Sequence, residues 1–347
     1  MVTLCPEGLK SLGTKIFTAQ GSSEKDAELL SRTLVEANLT GHDSHGVHYF
    51  LHYSDRIRDG WIDPQAQPEK VEDTVSHAVI DGHWAFGQVT AMRAINLCME
   101  KARRNIVAAV GVRRCNHIGR VGYYTQHAAK EGLISMFFVN VNHPIASVYN
   151  GLGRRFGTNP FSLSVPTKSG TPYLLDYATT VVAHGKASVA RAKNEGIPKS
   201  WARDRYGRVT KDPEVLWEGG WLLPFGGHKG YALQLAMELL GGILTGSFTG
   251  FDEEVEHPST NGLLTICLDP EGFIGLGAFK ENAEEMFRYI RSTEPTDGNK
   301  ILIPGEPEKL TRERLLDEGV TIPDETWTQI VRLARDLSID PSIAVKR

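Results

Sequence analysis

Within ten residues, Cys115 to Tyr124, the chain places an imidazole, His117, a guanidinium, Arg120, and two glycines, Gly119 and Gly122. An imidazole exchanges a proton near neutral pH. A guanidinium offers a planar fork of donors to a carboxylate or phosphate, and glycine lets backbone approach a ligand closely. Together these are the parts of a proton transfer carried out beside a bound anion. The competing reading is a loop histidine and a surface arginine that happen to be neighbours; on these ten residues alone both stand. Residues 106–112 before them are apolar and rich in Val and Ala, as in a strand buried on both faces. Residues 121–130 behind them read as a helix that stops at Gly132. The stretch between is therefore a strand-to-helix turn, and in open α/β sheets ligands sit at the carboxyl ends of strands.

Three further groups could carry chemistry. His42, His45, His48 and His52 form the densest histidine cluster. If residues 44–58 are one helix, His45, His48 and His52 fall at i, i+3 and i+7 on one face. That spacing could hold a metal, but no His-Glu-x-x-His pattern is present. A plain exposed face is the simpler reading for His48 and His52, and no metal is expected. His45 differs, because Ser44 and Gly46 flank it at the entry to the helix, where an anion such as a carboxylate would bind. The second group is residues 224–230, where three glycines precede a helix with Lys229 in its first turn. Backbone N–H groups, a helix dipole and an ammonium would converge there on a phosphate; the alternative is a hinge. The third is Asp176, at the end of the strand carrying Leu174 and Leu175. It is placed to bond a ribose, to orient a histidine or to cap a turn. Residues 151–157 miss the dinucleotide fingerprint by one residue and lead into a strand, so an ordinary Rossmann site is rejected there.

The bounds agree with an enzyme of ordinary composition. At 347 residues the chain can bury a large core. A net charge of −4 gives no electrostatic case for nucleic acid or an anionic membrane. The four cysteines are scattered, without a Cys-x-x-Cys pair, which argues against a zinc ribbon or a disulfide framework and for a reducing compartment. No signal pattern opens the chain and no apolar run approaches a membrane span, so a cytoplasmic protein is expected.

The elements that must position these groups follow from periodicity. Helices are expected over 6–19, from an N-cap at Ser23 to before Gly41, over 44–58 and over 88–104. Strands are expected over 78–80, 106–112, 134–141, 161–165, 173–177 and 263–268. From 190 to 221 the pattern is lost, and a loop of that length reads as a lid or substrate loop. An apolar helix spans 230–244. Two last helices cover 310–318 and a segment capped by Asp324, with Trp327, Ile330, Val331, Ala334 and Leu337 on its apolar face. The expected class is α/β: a non-Rossmann cofactor-binding sheet domain over 76–299, and a helical domain built from both chain ends, 1–75 with 300–347.

Several ordered motifs carry a resemblance. They are Gly41-His42-Asp43-Ser44-His45-Gly46, Asn116-His117-Ile118-Gly119-Arg120, Phe156-Gly157-Thr158-Asn159-Pro160, Leu174-Leu175-Asp176-Tyr177-Ala178, His228-Lys229-Gly230 and Pro304-Gly305-Glu306. By these the chain resembles the malate/L-lactate dehydrogenase family of nicotinamide-dependent oxidoreductases, over nearly its whole length. Within it, the run from Asp81 to Gln88 is most similar to the hydroxycarboxylate dehydrogenase B branch. The resemblance implies a homodimer that moves hydride between NAD or NADP and a 2-keto or 2-hydroxy acid. It implies His117 as the acid/base, with His45 beside it as proton donor or cofactor contact. Cofactor contacts implied are Gly119, Arg120, Val121, Thr158, Asn159, Leu174, Leu175, Asp176, Tyr177, Ala178, His228, Asn261, Gly305, Glu306, Pro307 and Glu308; the residues of 224–230 themselves add Lys229 as the phosphate partner. On the substrate side stand Ser44, Tyr49 and Tyr53. Tyr49 occupies the place where many members carry a carboxylate-clamping Arg, and a phenol cannot make a bidentate ion pair; Tyr53 lies one turn further on. Two other functions remain open: a cyclic imine reductase of the same family, and a metal-dependent hydrolase using the 42–52 cluster.

Overall fold

The structure, a computed structural model, describes residues 1–192, 194–252, 257 and 260–345. In chain order, strand β1 (Val2–Leu4) precedes helices α1 (Pro6–Ala19), α2 (Glu24–Leu39) and α3 (Tyr49–Arg58). The sheet region holds β2 (Glu69–Asp73), β3 (His77–Asp81), α4 (Gly87–Asn105), β4 (Val107–Cys115), α5 (Gly122–Lys130), β5 (Ile134–Val141), β6 (Phe161–Val165) and β7 (Tyr173–Tyr177). Then come α6 (His184–Ala192), β8 (Ala202–Arg203), β9 (Trp221–Leu222), α7 (His228–Met237) and β10 (Asn261–Leu268). The chain closes with α8 (Leu276–Arg291), α9 (Glu306–Glu318), β11 (Val320–Ile322) and α10 (Asp324–Asp336).

The two chain ends share one apolar core. Leu9, Leu12, Ile16 and Phe17 of α1 pack with Leu30 and Leu34 of α2, Phe50 of α3, and Ile330 and Ala334 of α10. β1 pairs antiparallel with β11 beneath them. Phe86 and Val89 also enter this core, so the start of α4 ties the helices to the sheet. Ser23 accepts the Asp26 amide as an N-cap should. Asp324 is no cap: Pro323 holds that place, and Asp324 is the first helical residue, its carboxylate on the chain's terminal ammonium.

The second core lies between the seven-stranded sheet and α4 and α5, with Ile80, Ile95, Val110, Val112, Tyr124, Phe137 and Leu263 buried. Strand order is β2-β3-β4-β10-β5-β6-β7. Only β3 and β4 run parallel; every other neighbouring pair is antiparallel. The class is α/β as expected, yet the sheet is mixed rather than the open parallel kind invoked for ligands at strand ends. β4 starts one residue later than expected and runs on to Cys115. Ile106 turns the corner at φ +71. Arg113 and Arg114 remain in the strand because buried Asp81 holds them, Arg114 Nε at 2.7 and 2.9 Å.

Two expectations fail outright. Residues 190–221 are not one structureless loop: α6, β8 and β9 enclose a small core with Ala187, Ile197, Ala202, Leu216 and Leu222. The helix expected over 44–58 is broken. Asp43–His45 is a single 3₁₀ turn, Gly46 is extended at φ −90 and ψ −156, and α3 begins only at Tyr49. Gly46 packs so closely on Asn38 that a Cβ would lie 2.2 Å from its Oδ1. His45 therefore does not share a helix face with His48 and His52. The amphipathic α8 arises from a stretch for which the sequence carried no expectation; none of its residues is buried.

Candidate active site

His117 follows the end of β4, in the turn before α5. Two contacts pin that turn: buried Asn261, at the start of β10, accepts the Ile118 N–H at 3.0 Å, and Tyr124 donates to the Ile118 carbonyl at 2.5 Å. Gly119 holds φ +72, which only glycine adopts without strain. Against this turn lies α3. The Tyr53 hydroxyl is 2.8 Å from His117 Nδ1, and the Gln88 amide nitrogen donates to the same hydroxyl at 2.7 Å. Tyr49, one helical turn before Tyr53, stacks on His117 with ring centroids 4.6 Å apart and planes 16° apart. The His45 ring stacks on His117 at 5.7 Å, and Ser44 Oγ is 3.1 Å from His45 Nδ1. The structure thus brings together His117, His45, Ser44, Tyr49 and Tyr53, all read from the sequence, and adds Gln88, to which the sequence reading gave no role.

Electrostatics make this a site of neutral imidazoles. Burial, followed by the charges of His45 and Arg56, lowers the pKa of His117 well below the ordinary value. Burial also lowers His45, to about 3, and His48, to about 4. Tyr49 is pushed up to about 12, again by burial. The sign of the stability linkage follows. Unfolded histidine takes up a proton near 6.5, whereas folded His45 resists until about 3. Stability from this group is intact above 6.5 and is lost as pH falls from there, fully so below the folded value. Between pH 6.5 and 5 His45 should cost about 2 kcal/mol. The urea midpoint should fall over that interval, and fall measurably less in His45→Gln; an equal fall in both proteins refutes the assignment.

A second group lies beside the first. Arg120 is 5% exposed, and all three of its guanidinium nitrogens lack a hydrogen-bond partner. Its nearest counter-charge is Asp176, Nε to Oδ2 at 3.5 Å, and that oxygen also accepts the Gly122 N–H at 2.9 Å. Burial raises the Asp176 pKa against the opposing pull of Arg120. Glu308 faces His42 at 3.8 Å and keeps one buried oxygen without a partner. These are the features a phosphate and a ribose would satisfy: an unmatched buried guanidinium and free carboxylate oxygens. The residues therefore fit a dinucleotide. His42 was not among the cofactor residues read from the sequence, and its pairing with Glu308 joins positions 266 residues apart only in the fold.

The other sequence-derived positions divide by what their side chains touch. Leu174 donates its N–H to Pro304, which brings Gly305, at φ +102, against the start of β7. Glu306 turns away toward Arg291 at 2.6 Å, and Pro307 lies in the first turn of α9. Asn159 gives its side chain to the Val141 amide and the Gln234 carbonyl, and Asn261 gives its own to Ile118 and Asn140, so both brace the scaffold. Val121 is buried in the sheet core. The Thr158 carbonyl accepts from Thr179, whose own carbonyl accepts the Phe225 N–H. Leu175, Tyr177 and Ala178 are half-buried along the same strand end, where Tyr177 packs edge-on against Phe225. This stitching sets the glycine-rich turn beside β7. His228 and Lys229 are exposed at the start of α7, behind Gly227 at φ +63. If Lys229 meets a cofactor phosphate, Lys229→Ala should weaken dinucleotide binding by about 1–3 kcal/mol. Unchanged affinity in a titration removes it from the site. Among the described residues, no three His, Cys, Asp or Glu side chains converge as a metal would require.

Comparison with known proteins agrees with this geometry. The chain is 36% identical to a malate dehydrogenase of Pyrococcus abyssi, over 97% of its length and 96% of that protein's. It is equally 36% identical to hydroxycarboxylate dehydrogenase B of Escherichia coli, over 95% and 93% of the two chains. Identity therefore does not single out the second branch. The structure of delta1-piperideine-2-carboxylate reductase from Pseudomonas syringae superposes with a TM-score of 0.87 at 29% identity, covering 96% of this chain and 100% of that one. The family model described as malate/L-lactate dehydrogenase matches residues 5–331, and with these relatives covered over nearly their whole length, the chain belongs to that family of oxidoreductases.

Proposed function

We propose that the protein reduces a 2-keto acid to the 2-hydroxy acid, and runs the reverse oxidation, with NADH as hydride carrier and neutral His117 as proton donor. Its Nε2 proton passes to the carbonyl oxygen as Nδ1 takes up the Tyr53 hydroxyl proton, and solvent reprotonates Nε2 as Nδ1 returns that proton to Tyr53. The observation that carries this reading is His117 itself: tied through Nδ1 to Tyr53, it leaves Nε2 without a protein hydrogen bond among the described residues. A bound nicotinamide supplies the hydride; the chain's residues position it and supply the proton. The unpartnered guanidinium of Arg120 holds phosphate, and the carboxylates of Asp176 and Glu308 take ribose hydroxyls. Two carboxylates against one guanidinium disfavour an additional phosphate on that ribose, which argues for NADH over NADPH. Ser44 and Tyr49 line the substrate side, where Tyr49 offers one hydroxyl instead of a bidentate cation.

Reduction of a cyclic imine acid is the second reading, favoured by the neutral Tyr49 and by the likeness to the Pseudomonas syringae reductase. A panel of 2-keto acids and cyclic imines, followed at the nicotinamide absorbance with each cofactor, tests both. Keto acids should be consumed, and faster with NADH. Consumption of imines alone selects the second reading, and inertness toward both ends the proposal. The active form is read as a homodimer. Leu235, Leu239, Ile243 and Leu244 expose 38–64% of their surface along one helical segment, a patch that a second copy would cover. Sedimentation at micromolar concentration should give twice the chain mass.

A further inference from the structure

We propose that Tyr53 and Gln88 together set the tautomer of His117, holding its proton on Nε2, and so act as positioning residues for the proton donor. The inference rests on the role proposed above for His117 and deepens it. An amide nitrogen can only donate, and that of Gln88 lies 2.7 Å from the Tyr53 oxygen. The Tyr53 oxygen is thus an acceptor toward Gln88, and its single proton must go elsewhere. Two acceptors lie near it: His117 Nδ1 at 2.8 Å and the His117 carbonyl at 3.4 Å. The first distance is normal for a hydroxyl donor and the second is beyond the usual range. Nδ1 therefore accepts. A neutral imidazole carries one N–H, so that proton is on Nε2, the nitrogen with no protein partner among the described residues.

The packing places the Gln88 amide directly beneath the turn, with its Oε1 buried and without a hydrogen-bond partner. Tyr53 is 1% exposed and Gln88 fully buried. Gln88 sits in the first turn of α4, and the preceding Gly87 lies so close to the turn that a Cβ would fall 2.3 Å from both the Asn116 and His117 carbonyl oxygens. On the other side, a Cβ at Gly119 would lie 3.2 Å from the Gln88 amide nitrogen. Both glycines let the amide reach beneath the catalytic turn. Lowering of the His117 pKa by burial keeps the ring neutral, the state in which a choice of tautomer has meaning.

The test is long-range 1H–15N correlation on protein labelled at histidine nitrogens, with the His117 signals assigned by their loss in His117→Asn. The wild-type ring should show the Nε2–H tautomer at neutral pH. In Gln88→Glu the carboxylate takes the Tyr53 hydroxyl proton, so Nδ1 must become the donor and the ring should switch to Nδ1–H. Turnover should then fall by roughly 10²-fold or more while dinucleotide affinity holds. If Gln88→Glu fails to fold, Tyr53→Phe removes only an oxygen and should abolish the Nε2–H preference. An Nδ1–H ring in the wild type, or a tautomer unmoved by either substitution, overturns the inference. A wild-type Nε2–H ring in a protein that turns over neither keto acid nor imine would instead sink the functional reading and leave the tautomer assignment standing.

Discussion

Replacing His117 with alanine should lower turnover by roughly 10²–10⁴-fold, the usual contribution of a positioned general acid, and leave nicotinamide binding nearly unchanged. The expectation rests on geometry: His117 is tied by Tyr53 at 2.8 Å and stacked upon by Tyr49. Removing the ring leaves the Tyr53 hydroxyl with the Gln88 amide as its remaining close partner. A modest loss of stability is therefore expected and must be measured separately, by comparing thermal midpoints. His45→Ala is the necessary companion, because its ring lies parallel to His117 only 5.7 Å away. The larger loss of turnover at preserved cofactor affinity identifies the proton donor. Near-native turnover in His117→Ala with none in His45→Ala reverses the two roles. If neither substitution matters, the proton comes from water or another group and the site is misplaced.

Arg120→Met should raise the dissociation constant for NADH by roughly 10²–10⁴-fold. A buried guanidinium with no hydrogen-bond partner on any nitrogen is costly in the free protein, and it becomes favourable when an anion matches its fork. Two charge-assisted hydrogen bonds at about 1.5–3 kcal/mol each give that range. Removing the charge also leaves Asp176 in a buried position with only the Gly122 N–H beside it. Loss of one partner of a buried pair destabilises by about 3–5 kcal/mol, so Arg120→Met with Asp176→Asn is the better-folded control. Arg120→Lys keeps the charge but loses the fork and should recover only part of the affinity. Unchanged NADH affinity in a folded Arg120→Met protein would move the phosphate elsewhere, with Lys229 the next candidate.

Much of this was legible before folding. The apolar periodicities of α1, α2 and α10 and the strand patterns of β5, β6 and β7 are local, and each appeared where expected. So did the turn carrying His117, since a Val- and Ala-rich strand, glycine punctuation and a following helix are all written within twenty or so residues. Local pattern also misled. The histidines at 45, 48 and 52 read as one helix face, because nothing nearby announces that Asn38 reaches over to bond the Asp43 carboxylate and the Val47 N–H on either side of the break.

The sequence by itself determined which faces are buried, which residues could exchange protons or bind anions, and that they cluster in short turns. Tertiary structure alone decided who meets whom. A buried apolar strand looks the same whether its neighbour runs parallel or antiparallel, so the mixed order of the sheet lay in pairings between distant segments. Residues 190–221 lacked periodicity, yet they condense around a small core supplied partly by Ala146 and Val182 from outside the stretch. Gln88 is the sharpest case: near the start of a helix it reads as an ordinary polar residue. Only the packing of α4 under the turn buries its amide and aims it at Tyr53, 35 residues away in the chain. Hydrophobic patterning acts through the chain's own period and can be read locally. A hydrogen bond between buried polar groups depends on position to a few tenths of an ångström, and that precision exists only once the core has closed.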